Sequence, residues 1–507
     1  MNIKNIKTYI LSGILALSMS SCLDKYPEDS IRMDQAINTV DDMDKLVYGI
    51  YDSFKSSALY SGNLTILPDL QADFVYCVKG YSNAYGDIYR WKDIKATNTD
   101  IESVYGALYG VINNANFLLD NVDKVKANTN SDKELDKLEQ CEGEAYFARA
   151  LAYSELIKCF CKAYDSDEQA AKELGVVLTE HYYGNEPQKR ATLKESYDFV
   201  LRDLDKATEY LKVDEDFTGT LYDEIYFNEY ACHALRARVS LYMHRWDDAI
   251  KYASKVINSK YYVLASCTQK IGNTSYYQYQ WTAGKSTEGI WKVGFTVNSY
   301  GGALGTIFDN YNYVSYRPDY VPETWVINSF DSNDLRAAAI FTTRTTGYEH
   351  GLQWPLLSKY FGDAEFLNNN ILHVHQPMVF RLSEQYLIRA EAYAMNGEYG
   401  KAGKDISTLR TARYSSYGGN TSMSDESSAM KIIEAERVKE LYMEGFRLND
   451  LKRWHKGFER KAADQPAANF VQSSLKVEKD DPLFVWPIPQ HELEAPGSEI
   501  QPNESNK

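Results

Sequence analysis

Beyond residue 22 this chain of 507 residues has no apolar run of about 18 residues, the length a helix needs to cross a bilayer. Positive charge is scarce as well: 55 basic side chains face 71 acidic ones, a net charge of −16. Nucleic acids and anionic membrane surfaces select basic partners, so neither is expected to bind. Paired CxxC motifs of the zinc type are missing. Cys77, Cys141, Cys159, Cys161, Cys232 and Cys267 are scattered, four of them in segments of helical pattern, which predicts buried free thiols; a disulfide stays open, since spacing cannot pair them. There is no HExxH and no GxSxG. Gly284, Lys285 and Ser286 imitate the end of a phosphate loop, but Tyr279 stands where its first glycine belongs. His373 and His375, two apart, could share a strand face as metal ligands, yet a third ligand is missing. No metal, cofactor or nucleophile is therefore expected.

What the chain does have begins at its start. Lys4 and Lys7 precede an apolar stretch over residues 10–19, and Ser20, Ser21 and Cys22 follow. That order reads as an export signal over residues 1–21, with Cys22 acylated to become the new N-terminus. Each buried methylene contributes about 0.8 kcal/mol and one acyl chain holds only marginally, so two or more chains make a stable anchor. An ordinary secreted protein cut near this point is the rival reading.

Tyrosine is abundant, with 41 copies, and aromatics reach 13% of the chain. Helical periodicity is strongest over residues 230–257 and 385–413. Ala231, Ala234, Leu235, Val239 and Tyr242 recur at helical spacing, and Leu387, Ala390, Ala394 and Met395 repeat the design. Superposing the two segments aligns Ala237 with Ala390, Trp246 with Tyr399 and Ala249 with Ala402. Small residue, turn, aromatic, small residue is how tetratricopeptide helix pairs pack. Residues 141–160 with 195–211, and residues 429–454, extend the series to about four pairs. Residues 262–380 interrupt it with Tyr, Asn, Gly and Ser and short strand-like pieces such as "GIWKVGF".

These segments resemble the SusD/RagB lipoproteins of Bacteroidota. Ile112, Ala115 and Asn116 match the family's I-x-x-A-N helix; Gly143, Glu144, Ala145, Arg149 and Ala150 match its GEA-x-x-x-RA helix. "RLSEQYLIRAEAYAMNG" and "ERVKELYMEGFRLNDLKRW" match two C-terminal helices, and "VWPIPQHELEAPGSEIQPN" the closing segment. The resemblance implies a mainly α SusD-like fold whose scaffold is tetratricopeptide-type helix pairs. It implies a signal over 1–21 and a single domain over 22–507, built of 23–220, of 221–261 with 381–507, and of a loop-rich ligand-binding insertion over 262–380. It further implies a non-enzymatic lipoprotein of the outer membrane, facing outward. Such a protein catches oligosaccharide for a SusC-like TonB-dependent transporter. Asp24 and Lys25, directly after Cys22, fit the charged signals that send such lipoproteins outward.

Two chemistries compete for the remaining motifs. Glu436, Glu440 and Glu444 repeat every four residues along a predicted helical stripe, which invites a glycosidase reading. Arg437, Arg447 and Arg453 nearby would keep such carboxylates ionised, the wrong state for a general acid, so an ion network is expected. Aromatic loops are the stronger binding candidates, because sugar C–H faces stack on flat rings while hydroxyls bond to polar neighbours. From three stretches we select Asp73, Tyr81, Tyr85, Tyr277, Tyr279, Trp281, Tyr311, Tyr313 and Tyr316 as ligand-binding residues. Read as an extended piece, "SYYQYQW" puts Tyr277, Tyr279 and Trp281 on one side. The rival functions are a secreted glycoside hydrolase and a tetratricopeptide scaffold that binds proteins.

Overall fold

Alanine lets two helix backbones approach closely, and the alanine-rich segments fold accordingly. In the computed structural model, which describes residues 37–184, 188–213, 224–348 and 351–507, the chain is mainly helical. The expected export signal over residues 1–21 and the expected acylation site Cys22 lie outside the described residues. The principal helices are α1 (Val40–Ser53), α2 (Asn63–Gln71), α3 (Thr99–Asn128), α4 (Asp132–Phe160), α5 (Leu193–Tyr210), α6 (Glu229–Tyr242) and α7 (Trp246–Asn258). They continue with α8 (Tyr276–Thr282), α9 (Leu382–Met395), α10 (Tyr399–Arg413), α11 (Glu426–Glu440) and α12 (Arg447–Arg453). From α3 to α7 each helix packs on the next; α7 packs on α9, α9 on α10, and both on α11. α12 turns back onto α2, at the other end of the sequence.

The helix pairs share one stop signal. His244 (φ 55°) after α6 and Gly397 (φ 75°) after α9 are left-handed at equivalent places. In both, the next residue's N–H reaches back five residues, Arg245 to Ser240 O at 2.9 Å and Glu398 to Tyr393 O at 2.8 Å. α12 ends the same way, with His455 (φ 51°) and a bond from Lys456 N–H to Leu451 O. These bonds satisfy carbonyls that a helix end would leave orphaned.

The motif residues are clamps between helices. Arg149 of α4 donates to both Asp203 oxygens on α5, at 2.7 and 3.0 Å, and to Asn116 Oδ1 on α3 at 2.7 Å. Arg238 of α6 grips Glu384 of α9 with two bonds of 2.7 Å. Arg437 of α11 and Arg453 of α12 share Asp450, and Arg453 also holds Glu391 of α9. The W-P-I-P segment closes the chain: Trp486 is buried and its indole donates to Gln71 Oε1 of α2 at 2.9 Å. All six described cysteines are buried and unpaired, and burial pushes the thiols of Cys141, Cys159, Cys232 and Cys267 up to about 12.

Strands are short and come in antiparallel pairs. β1 (Val75–Cys77) pairs with β3 (Tyr320–Pro322), β2 (Gly289–Lys292) with β6 (Met378–Arg381), and β4 (Phe341–Thr345) with β5 (Gln353–Leu357). β2 and β6 tie residues 262–380 to the helical stack: Trp291 opposite Phe380 is buried in the main core with Phe227 and Phe147.

Candidate functional site: an aromatic patch on the 305–316 loop

The loop begins on a single helical turn, Thr306–Asp309, which Asn310 ends in the left-handed region (φ 40°). Asn312 then builds a tight bend, its side-chain oxygen accepting from the N–H groups of Val314 at 3.1 Å and Ser315 at 2.9 Å. Arg317 N–H returns to Asp309 O, and Gly347 N–H reaches Tyr316 O at 2.8 Å, which fastens the bend to the β4–β5 hairpin. From the other side Nε2 of His373 accepts the Tyr311 N–H at 3.0 Å, and the Tyr313 hydroxyl donates to Asn370 O at 3.3 Å. Tyr313 (φ 67°), Asn370 (φ 61°) and His373 (φ 64°) are themselves left-handed. Such residues cost of order 1 kcal/mol or more each and cluster where a surface is held for a purpose.

The product is a set of rings. Tyr311 and Tyr316 stack at 4.5 Å with planes 23° apart; Tyr313 joins at 5.8 Å, and Phe361 lies 5.9 Å from Tyr311 and 6.2 Å from Tyr316. Tyr313 is 57% and Val314 88% exposed, while Tyr311, Tyr316 and Phe361 are half-buried. The Arg344 guanidinium sits 5.3 Å from the Tyr316 centroid, and that of Arg317 5.6 Å from Tyr348. Beneath them Asp309 is buried with Oδ2 unbonded among the described residues, and desolvation pushes its carboxyl up to about 8 against the pull of Arg344. A neutral carboxyl, a fixed bend and an open row of rings form a surface suited to stacking and hydrogen bonding.

The other selected residues lie elsewhere. Tyr81 flanks the small core under the β1–β3 pair, where its hydroxyl accepts from Arg90 at 2.8 Å and is held by Asn83 and Gln472. Tyr85, left-handed at φ 54°, packs half-buried between the two largest cores. Asp73 is buried in a two-bond grip by Arg447, at 2.8 and 2.9 Å, away from the Tyr311 patch. "SYYQYQW" is not extended: residues 276–282 form α8, capped by Ser275, whose hydroxyl accepts the Gln278 N–H at 3.1 Å. At 100° per residue Tyr277 and Trp281 share one face and Tyr279 the opposite one. Tyr277 and Trp281 are accordingly buried, and only Tyr279 is half-exposed.

What they cover is the carboxylate cluster. α11 ends at Glu440, so Glu444 belongs to the turn beyond it rather than to a helical stripe. Glu440 is fully buried and accepts from Arg336 (2.9 Å), Arg381 (3.0 Å) and Arg413 (2.8 and 2.9 Å); Glu288, Glu436 and Glu444 complete the network. Arg413 lies 4.6 Å from the Tyr277 ring, and Lys359 4.0 Å from that of Trp281. Burial opposes ionisation here, but the arginines prevail, holding Glu436 at about 2 and Glu440 well below the usual carboxylate range. Neither can act as a general acid near neutrality. His373 and His375 precede β6 in a loop, and His375 is buried against Asp363 at 2.6 Å, so they do not share a strand face. No group of three metal-ligating side chains occurs among the described residues.

A deeper cleft of about 330 Å³ opens between the end of α4 and the chain after α12. Its charges answer one another: His455 bridges Asp480 (2.6 Å) and Asp165 (2.9 Å), and Lys452 donates to the carbonyls of Lys158 and Cys161. Desolvation lowers the His455 pKa, but the two carboxylates outweigh it and the net shift is upward. A raised folded-state value stabilises fully below the ordinary value near 6.5 and is lost as pH climbs through the shifted one. Thermal melts of wild type and His455→Gln should therefore differ by of order 1 °C at pH 5.5 and converge towards pH 9. A gap that widens with pH would contradict this.

Sequence reasoning missed Phe361, Arg344 and His373 as parts of the patch. Each comes from a separate segment, and no local pattern links them to Tyr311.

Comparison with known proteins places this architecture. A model of the SusD family matches residues 341–503, and a model described as starch-binding associating with outer membrane matches residues 22–241. No curated protein matches the chain. Among solved structures, a SusD superfamily protein from Bacteroides thetaiotaomicron is 23% identical with a TM-score of 0.75, over 92% of this chain and 99% of that one. A SusD-like carbohydrate binding protein from Bacteroides vulgatus is 19% identical, TM-score 0.73, over 91% and 98%. Surface glycan-binding protein A from Bacteroides fluxus is 19% identical, TM-score 0.66, over 92% and 100%. At these identities the likeness is one of fold.

Proposed function

Because the chain belongs to the SusD family, we propose that it is a glycan-binding lipoprotein of the outer membrane, anchored through Cys22 and facing outward. It captures oligosaccharide on the Tyr311–Tyr316 patch and delivers it to a SusC-like TonB-dependent transporter, with no covalent step. The observation that carries this reading is the row of rings held by left-handed residues on an otherwise ordinary loop. Flat rings fixed in advance lose little entropy when a sugar face lands on them. Glycoside hydrolysis is disfavoured, since the clustered glutamates are buried and occupied by arginine. A protein-binding scaffold could also use exposed tyrosines, so the glycan array is read beside binding to unglycosylated protein.

The test is a glycan array on the purified protein, followed by titration of the best ligand. Tyr311→Ala combined with Tyr313→Ala should weaken binding at least about tenfold, or about 1.4 kcal/mol, with the melting temperature nearly unchanged. Full affinity in the double variant, or release of reducing ends by the wild type, would refute the proposal.

A further inference from the structure

The patch is bordered by positive charge that forms no ion pair among the described residues. Arg344 faces the Tyr316 ring, Arg317 follows Tyr316 in sequence and faces Tyr348 beside the patch, and neither makes an ion pair with any described residue. Arg336, Arg381 and Arg413 in the interior, by contrast, are each paired with two or three carboxylates. Among the described residues Asp309 and Asp319 are acidic groups near the arginines, and neither forms an ion pair with them. Asp309 is buried below Tyr311 and Tyr316, where desolvation keeps it neutral near pH 7. Asp319 has both oxygens engaged by Ser82, through its N–H and its hydroxyl, each at 2.6 Å.

We propose that the patch is selective for acidic oligosaccharides, glycans bearing carboxylate or sulfate groups, with Arg344 and Arg317 as the charge-reading residues. This rests on the glycan-binding reading above and narrows its substrate class. A guanidinium offers a planar fork that matches a carboxylate or sulfate, and stacking on Tyr316 or Tyr348 restricts its rotamers before ligand arrives. A neutral glycan would gain nothing from this arrangement. An ammonium-bearing one would be repelled.

The experiment uses matched probes that share a backbone and differ only in charge: oligogalacturonate and its methyl ester, chondroitin sulfate and chondroitin, heparan sulfate and its desulfated form. Binding to the purified protein is measured at 50 and 300 mM NaCl. In at least one pair the charged member should bind about tenfold more tightly at low salt, with the advantage shrinking at high salt. Arg344→Gln or Arg317→Gln should remove most of that advantage and leave the neutral member's affinity in place, whereas Arg344→Lys should keep part of it. Equal or better binding of the neutral member in every pair overturns the inference while leaving a glycan-binding patch standing. Binding of no glycan at all, on these probes and on the array, overturns both.

Discussion

Glu440→Gln should cost about 3–5 kcal/mol of folding stability, one of the largest single-residue effects in the chain. The substitution keeps the shape and removes one charge from the centre of a dry cluster. Arg336, Arg381 and Arg413 all donate to Glu440, and all three are buried. Their remaining partners, Asp334, Glu288, Glu436 and Glu444, cannot move closer without leaving another arginine short. The penalty is thus mainly that of uncompensated buried cations, and not the net worth of the ion pairs. Two controls separate these. Glu440→Gln with Arg413→Met should recover part of the loss, because an unpaired guanidinium goes with its partner. Asp41→Asn, which breaks an exposed pair with Lys45, should change stability by less than about 0.5 kcal/mol.

The pH dependence has a definite sign. Glu436 and Glu440 have folded-state values below the usual 4.5, so their contribution is complete above the unfolded value and fades as pH falls towards and below 2. Urea unfolding of wild type and Glu440→Gln should differ by a constant amount between pH 6 and 8. The difference should narrow below about pH 4.5. A gap growing with acidity would mean that these carboxylates are buried protonated.

The helical frame was legible because its chemistry is local. Ala231, Ala234 and Ala237, and again Ala390 and Ala394, announce a close-packed face at a spacing no strand shares. The clamps were visible as motif residues, although nothing in the sequence says that Arg149 meets both Asp203 and Asn116. "SYYQYQW" is the instructive case. Its alternating aromatics fit a strand, yet Ser275 followed three residues later by Gln278 is also a helix-start signature, and the cap prevails. The stripe from Glu436 to Glu444 failed for the opposite reason. Leu441 ends the helix, and Met443 (φ 59°) and Gly445 (φ 83°) turn the chain so that Glu444 reaches Lys359 and Arg381 from a bend. Of the patch, Tyr311, Tyr313 and Tyr316 could be picked out as an aromatic loop. Phe361 and Arg344 could not, because tertiary contacts bring them there.

Trp281→Ala distinguishes a binding ring from a packing ring, and the expected result is a large loss of stability with unchanged affinity. Trp281 is only 2% exposed. It meets Tyr277 and Tyr360 edge-on, lies 5.7 Å from the His375 ring, and has Lys359 and Arg381 at 4.0 and 5.2 Å from its centroid. Truncation leaves a cavity, for which about 3–5 kcal/mol is the usual cost in a core. It also strips the aromatic face from two buried cations; desolvated pairs of that kind contribute up to about 2 kcal/mol. Lys359 is already difficult to keep charged, since burial lowers its pKa to about 8 despite Glu444 beside it. The Tyr311 patch is built from other residues, so ligand affinity per folded molecule should stay within about twofold of wild type. Tyr311→Ala should give the converse, with binding weakened and the melt little changed. A stable Trp281→Ala protein that no longer binds would move the site from the 305–316 loop to α8 and break the assignment of Tyr277 and Trp281 to the core.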